Sequence, residues 1–194
     1  MTEVKVLVVC VGNVCRSPLV ERLLQLRLHE MLGESAETIE VSSAGVLALV
    51  GNPMDDLAAA QLQRLGGDPQ GFVSTQWDAP MSEAADLVLT ATRGLRSRVL
   101  EETPRTLKRT FTILEFAALT TSDTFRTRRV TDTADLVGRA AVWRGSAGLD
   151  DYDVPDPVGQ PERFHHAVAD LLDHSCTVIA RALVGAQLSD VSQH

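Results

Sequence analysis

Two thiols and a guanidinium lie close together near the start of the 194-residue chain, in Val9-Cys10-Val11-Gly12-Asn13-Val14-Cys15-Arg16-Ser17-Pro18. Five residues separate Cys10 from Arg16. That is enough for a loop whose backbone N–H groups turn inward around a tetrahedral anion such as phosphate, with the following helix aiming its positive end at the same point. Fixed positive charge around Cys10 favours a thiolate nucleophile. Arg16 keeps its charge, and its planar fork matches two phosphoryl oxygens. Gly12 and Asn13 tolerate unusual backbone angles, and Ser17 suits an N-cap with Pro18 at the first helical position. The Ser17 hydroxyl can also donate to the Cys10 sulfur, while the Asn13 side chain can lock the loop. Val11, Gly12, Asn13, Val14, Cys15, Arg16 and Ser17 thus form the candidate phosphate-binding set around Cys10. No Gly-Lys-Ser/Thr follows Gly12, which excludes the nucleotide-binding loop of that pattern.

Thiolate cleavage of a phosphate monoester needs an acid to protonate the departing oxygen. The candidates lie in Asp150-Asp151-Tyr152-Asp153-Val154-Pro155-Asp156-Pro157, where the prolines restrict the backbone. An acidic turn of this kind is also consistent with simple solvation.

The run Cys10 to Pro18 closely resembles the signature of the low-molecular-weight protein tyrosine phosphatases. Val41-Ser42-Ser43-Ala44-Gly45, Gly51-Asn52-Pro53-Met54-Asp55, Ala85-Asp86-Leu87-Val88-Leu89 and Val154-Pro155-Asp156-Pro157 follow in that family's order. The likeness covers residues 4–118 and 150–184. It implies a cytoplasmic phosphotyrosine phosphatase that works through a cysteinyl-phosphate, with Cys10 as nucleophile, Arg16 as clamp and Asp156 as general acid and then base. It implies no cofactor and no metal. The implied partner is a phosphorylated protein, such as a bacterial tyrosine kinase. By the same resemblance Ser43 orients Asn13, although it also reads as a plain strand-end serine. Cys15 is either a redox partner of Cys10 or a small packing residue.

The chain departs from the family pattern in three places. Val158-Gly159-Gln160 stands where the family has one or two aromatics, so Val46 to Val50 is the expected apolar wall, with Tyr152 and Trp143 as further candidates. Phe72 replaces a histidine. Val14 stands where the similar protein arginine phosphatases carry threonine. Arginine phosphatase, arsenate reductase on the same fold and a non-catalytic phosphate-binding module are the alternatives. A reductase would need downstream resolving cysteines, and only Cys176 remains.

The elements that must position these residues alternate. Strands are expected over Val4–Cys10, Thr38–Ala44, Ala85–Ala91 and Arg109–Ile113, and helices over Pro18–Leu32, Asp55–Leu65, Arg93–Glu102 and Pro161–Val184. Strands separated by helices imply a parallel sheet covered on both faces, with ligands bound beyond the carboxyl ends of its strands. The expected fold is therefore α/β, a four-stranded parallel sheet in one domain spanning residues 1–194, with residues 186–194 as a disordered tail. With 44% apolar residues the chain can bury a proper core. No stretch reads as a membrane span or signal peptide, and three cysteines make neither a disulfide framework nor a zinc motif by their spacing. A net charge of −8 with no recognised motif argues against nucleic acid.

Residues 120–149 match nothing in the family and read as an insertion with a helix from Asp132 to Trp143. From Arg93 to Arg144 there are 11 basic and six acidic residues. The expectation is a positive region beside the site, with Arg126, Arg128 and Arg129 recruiting an acidic phosphoprotein.

Overall fold

In the computed structural model, residues 3–122 and 129–191 are described, the side chains of 190 and 191 excepted. The sheet has four parallel strands, β1 (Val4–Cys10), β2 (Ile39–Gly45), β3 (Leu87–Thr90) and β4 (Thr110–Thr112), in the order β2-β1-β3-β4. Parallel neighbours need crossovers, supplied by α1 (Arg16–Leu32), α2 (Asp56–Arg64), α3 (Ala79–Ala84) and α4 (Arg93–Glu102), and α5 (Ile113–Thr121), α6 (Thr133–Val142) and α7 (Glu162–Val191) follow the last strand. Short 3-10 turns precede β2 and β4.

β1 is apolar on both faces because both are covered. Val4, Val6, Val8 and Cys10 point into the larger core with Leu23, Leu24, Phe111, Phe116, Leu172 and Ile179, whereas Leu7 and Val9 face Val88, Val99 and Trp77. The two-residue period of a strand sorts these side chains, and their burial supplies most of the driving force for the fold. The buried Trp77 indole donates to Ser82 Oγ at 2.9 Å, so its one polar atom is satisfied.

The structure corrects the sequence reading in several places. α1 begins at Arg16, with Cys15 in the cap position making no side-chain cap bond, so Ser17 is inside the helix and its hydroxyl is used elsewhere. α5 was not expected. Its signal is present in Thr112 and Glu115, the capping spacing, since Thr112 Oγ1 accepts the Glu115 N–H at 3.1 Å. α7 does not stop at Gly185 but runs to Val191, so residues 186–191 are helical rather than a tail. Ala186, Gln187 and Ser189 are buried, and Ser189 Oγ accepts from Arg129 Nε at 3.3 Å. Tertiary contact thus outweighs the low helix propensity of one glycine.

Of the insertion, residues 120 and 121 belong to α5, and α6 closely matches the expected helix, with the Asp132 side chain accepting from the Asp135 N–H. α6 packs where the strands begin. With Val4, Asp86, Arg105, Lys108 and Arg109 it encloses a cavity of about 540 Å³. The described part of the insertion, α6 with Arg129 and Arg139, therefore lies at the end of β1 opposite the loop after Cys10. Arg144 staples its return to β4, donating to the carbonyls of Leu107 (2.9 Å) and Thr110 (2.7 Å) with its guanidinium 4.4 Å from the Phe111 ring centre. Arg126 and Arg128 lie outside the described residues.

Deleting residues 186–194 removes a buried part of α7. The expected cost is about 1–3 kcal/mol of stability, measured as a lower denaturant midpoint. An unchanged midpoint would mean that this turn contributes no net packing energy.

Candidate active site

The loop from Cys10 to Arg16 is held by its carbonyl groups. The β1–β2 pairing, which aligns Cys10 with Gly45, continues beyond both strands: the N–H groups of Val46, Leu47 and Leu49 donate to the carbonyls of Cys10 (3.1 Å), Val11 (3.0 Å) and Gly12 (3.0 Å). Ser74 Oγ adds a second bond to the Gly12 carbonyl, and the Asp55 N–H takes that of Val14 at 2.7 Å. In a trans peptide the N–H points opposite to the C=O. Carbonyls drawn outward at positions 10, 11, 12 and 14 therefore turn the amides of residues 11, 12, 13 and 15 inward. The Asn13 N–H meets Cys10 Sγ at 3.3 Å. α1 begins at Arg16 and adds the positive end of its dipole.

Asn13 is the key behind this ring. It adopts φ 51°, the only described non-glycine residue with positive φ. Its amide oxygen accepts the Thr75 N–H at 2.7 Å, and its amide nitrogen donates to Ser17 Oγ (2.9 Å) and Ser43 Oγ (2.8 Å). Each hydroxyl, having accepted, donates onward: Ser17 to Cys10 Sγ at 2.9 Å, and Ser43 to Glu21 Oε2 at 2.6 Å. Burial raises Glu21 above the usual carboxylate range, with the Ser43 bond opposing it. Ser43 thus contacts Asn13 directly, and Glu21 and Thr75 are members of the network that the sequence reading missed. Phe72 takes no part in it and lies under the Arg22 guanidinium, 5.9 Å from the ring centre.

Arg16 and Asp156 meet at the mouth. The Arg16 side chain is 6% exposed; Nη2 donates to Asp156 Oδ2 at 2.7 Å and Nη1 to the Val154 carbonyl at 3.2 Å. Asp156 is 51% exposed on its side chain, and its Oδ1 accepts the Val158 N–H at 3.3 Å. The segment before it is anchored beyond β3, where the Val154 N–H donates to the Ala91 carbonyl at 2.8 Å and Asp153 Oδ1 accepts the Arg93 N–H at 2.7 Å. Asp153 is thus committed to positioning the loop, whereas Asp156 faces the cavity.

That cavity, of about 250 Å³, is lined by Cys10, Val11, Gly12, Val14, Cys15, Arg16, Leu47, Leu49, Asp156 and Val158. Leu47 and Leu49 supply the apolar wall expected from Val46 to Val50. Tyr152 is not part of the lining and sits beneath Arg93, and Trp143 is not part of it either. The larger cavity beside α6 is lined by no cysteine.

Cys15 and Cys176 differ from Cys10 in their surroundings. Burial first, with the negative charges of Asp55, Cys10 and Asp156 behind it, pushes the Cys15 thiol up to about 12. Complete burial raises Cys176, whose Sγ points at the Val20 carbonyl 3.7 Å away. Both remain neutral thiols at pH 7, so brief treatment with iodoacetamide should modify Cys10 alone, as mapped by peptide mass spectrometry, and phosphate should protect it. Gly45 offers a second check. A Cβ there would press on the Val11 carbonyl oxygen and come within 2.8 Å of the Asn13 nitrogen. Gly45→Ala should therefore weaken vanadate binding at least about tenfold, the effect of a displaced loop, while far-UV circular dichroism stays unchanged.

The family model described as low molecular weight phosphotyrosine protein phosphatase matches residues 5–126. The low molecular weight protein-tyrosine-phosphatase Ptp of Acinetobacter johnsonii is 28% identical over 106 residues, 55% of this chain and 69% of that protein. Wzb of Salmonella typhi is 43% identical over 86 residues, 44% of this chain and 52% of Wzb. The chain spans about half the length of several such curated relatives, and Asp156 lies beyond the matched family region. Among solved structures, YwlE arginine phosphatase from Geobacillus stearothermophilus aligns with TM-score 0.70 at 26% identity over 98% of this chain and 97% of that one. The tyrosine phosphatase Wzb from Escherichia coli K30, solved with sulphate, aligns with TM-score 0.68 at 23% identity over 94% and 99%, a likeness of fold. Carbonyl-anchored loop, parallel sheet and matched region agree: this chain belongs to the low molecular weight phosphotyrosine protein phosphatase family.

Proposed function

We propose that this protein is a phosphomonoesterase that hydrolyses phosphotyrosine in proteins through a phosphocysteine on Cys10. The observation that carries the proposal is the convergence on one small cavity of the Cys10 sulfur, the inward amides, Arg16 and Asp156. A binding module would need the amides and Arg16, but neither a thiol at their centre nor a carboxyl at the mouth.

In the first step the Cys10 thiolate attacks phosphorus, and the bond from phosphorus to the leaving oxygen breaks. Asp156 delivers its proton to that oxygen. The loop amides and the Arg16 fork hold the non-bridging oxygens as charge redistributes over them. In the second step water attacks the phosphocysteine while the Asp156 carboxylate takes its proton, and the S–P bond breaks. The Ser17 hydroxyl and the Asn13 N–H, both on Cys10 Sγ, stabilise the departing thiolate.

The walls favour an aryl ester. Val11, Val14, Leu47, Leu49 and Val158 present apolar surface and no acceptor, which suits a phenyl ring better than the N–H-rich guanidinium of phosphoarginine. No helix among the described residues is long and apolar enough to cross a membrane. A phosphorylated cytoplasmic protein, such as a bacterial tyrosine kinase, is the substrate this reading implies.

A panel of phosphotyrosine, phosphoserine and phosphoarginine peptides should show highest kcat/KM for phosphotyrosine; preference for phosphoarginine would overturn the substrate assignment. Cys10→Ser should lose p-nitrophenyl phosphate hydrolysis while still binding vanadate. Asp156→Asn should slow poor leaving groups by about 10²–10⁴-fold, the usual worth of general acid catalysis, and activated aryl phosphates far less. The same dependence in Asp153→Asn instead would mean that the acid is the other carboxylate.

A further inference from the structure

Three side chains of different chemistry and distant sequence position converge beside the loop. Cys15, Asp55 and His165 each place a ligand atom within 4.8 Å of the other two. Cys15 comes from the loop itself, Asp55 from the cap of α2 and His165 from the first turn of α7. Asp55 Oδ1 already accepts the N–H groups of Leu57 and Ala58, both at 3.1 Å, which leaves Oδ2 available.

The unexplained member is His165. It is 3% exposed, yet its ring makes no hydrogen bond among the described residues, and Nδ1 stands 4.0 Å from Asp55 Oδ1. That gap is too long for a hydrogen bond. Ligands on one tetrahedral zinc stand about 3.3–3.8 Å apart, so these side chains, whose ligand atoms lie within 4.8 Å of one another, must close by up to about 1 Å to share an ion. Protonated, the ring pairs with Asp55; as the neutral imidazole it keeps a lone pair that can take a metal.

We propose that Cys15, Asp55 and His165 form a binding site for one zinc ion. A thiolate, an imidazole and a carboxylate are the ligand set this borderline-soft cation takes in tetrahedral geometry, whereas magnesium demands oxygen ligands. Zinc binding releases the Cys15 proton to solvent, as coordination deprotonates a thiol outright, and a water completes the fourth position. Asp55, with 36% of its side chain exposed, is the way in. The bound ion ties the phosphate loop to α2 and α7, so it holds the backbone on which Arg16 is mounted. Chain spacing conceals the site because its ligands are 40 and 110 residues apart.

The test is isothermal titration of the full-length, reduced protein with zinc chloride, with magnesium chloride as control. One equivalent of zinc should bind, and the unfolding midpoint should rise by about 5–10 °C at a hundredfold excess over Kd, as linkage requires for a chain of this size. His165→Gln, Asp55→Asn and Cys15→Ala, each checked for fold by circular dichroism, should weaken binding at least about tenfold. Cys10→Ser should bind zinc as the parent does. Cobalt substitution should give intense tetrahedral bands with thiolate charge transfer that Cys15→Ala removes. The proposal fails if no stoichiometric binding occurs, if magnesium binds equally well, or if Cys10→Ser abolishes binding while His165→Gln leaves it intact, which would put the metal on the nucleophile.

Discussion

The structure depends most on the outward pull exerted on the carbonyls of the loop after β1. A run of inward-facing amides is electrostatically unfavourable when empty, since like partial charges converge, and a loop left to itself would rotate them apart. Here Val46, Leu47 and Leu49 occupy one flank and Asp55 and Ser74 the other, so each peptide plane is fixed from outside the cavity. The β2 register is thus a functional quantity: β2 delivers Gly45 opposite Cys10, and only a residue without a side chain fits there against the loop backbone. The sheet supplies rigidity, and the loop spends it on holding a conformation it would not choose.

The hydrogen-bond relay behind the loop has a direction. Asn13 donates twice, so both hydroxyls it touches are free to donate onward, Ser17 into the sulfur and Ser43 into a buried carboxyl. Exchange Asn13 for an acceptor-only side chain and each hydroxyl would turn its proton back. Polarity at the nucleophile is therefore set by an amide that never touches it through its side chain.

Much of this was legible in the sequence. β1, β2, α1, α2 and α4 stand within a few residues of where apolar periodicity and caps put them, because their patterns are local. Cys10 and Arg16 were legible from residue type and spacing and Asp156, 146 residues beyond Cys10, from motif resemblance, and the structure brings all three to one cavity. What could not be read was non-local. The last turn of α7 forms because α6 and Arg129 meet it, and neither Glu21 nor Thr75 carries a sign of its partner 22 or 62 residues away. The charge pattern of the insertion was visible but its location was not, since net charge says nothing about which end of a sheet a segment returns to.

The contact between Arg16 and Asp156 has a bearing on selectivity. A carboxylate tethered to the same chain sits on the Arg16 guanidinium, so an incoming anion must compete with one whose effective concentration is fixed by the loop. Acetate, chloride and the carboxylates of peptides offer Arg16 no more than Asp156 already does. A phosphate monoester differs because it engages the amide ring as well as Arg16. The half-exposed carboxyl at the mouth thereby acts as a threshold, favouring ligands with enough oxygens to satisfy both surfaces over singly charged anions.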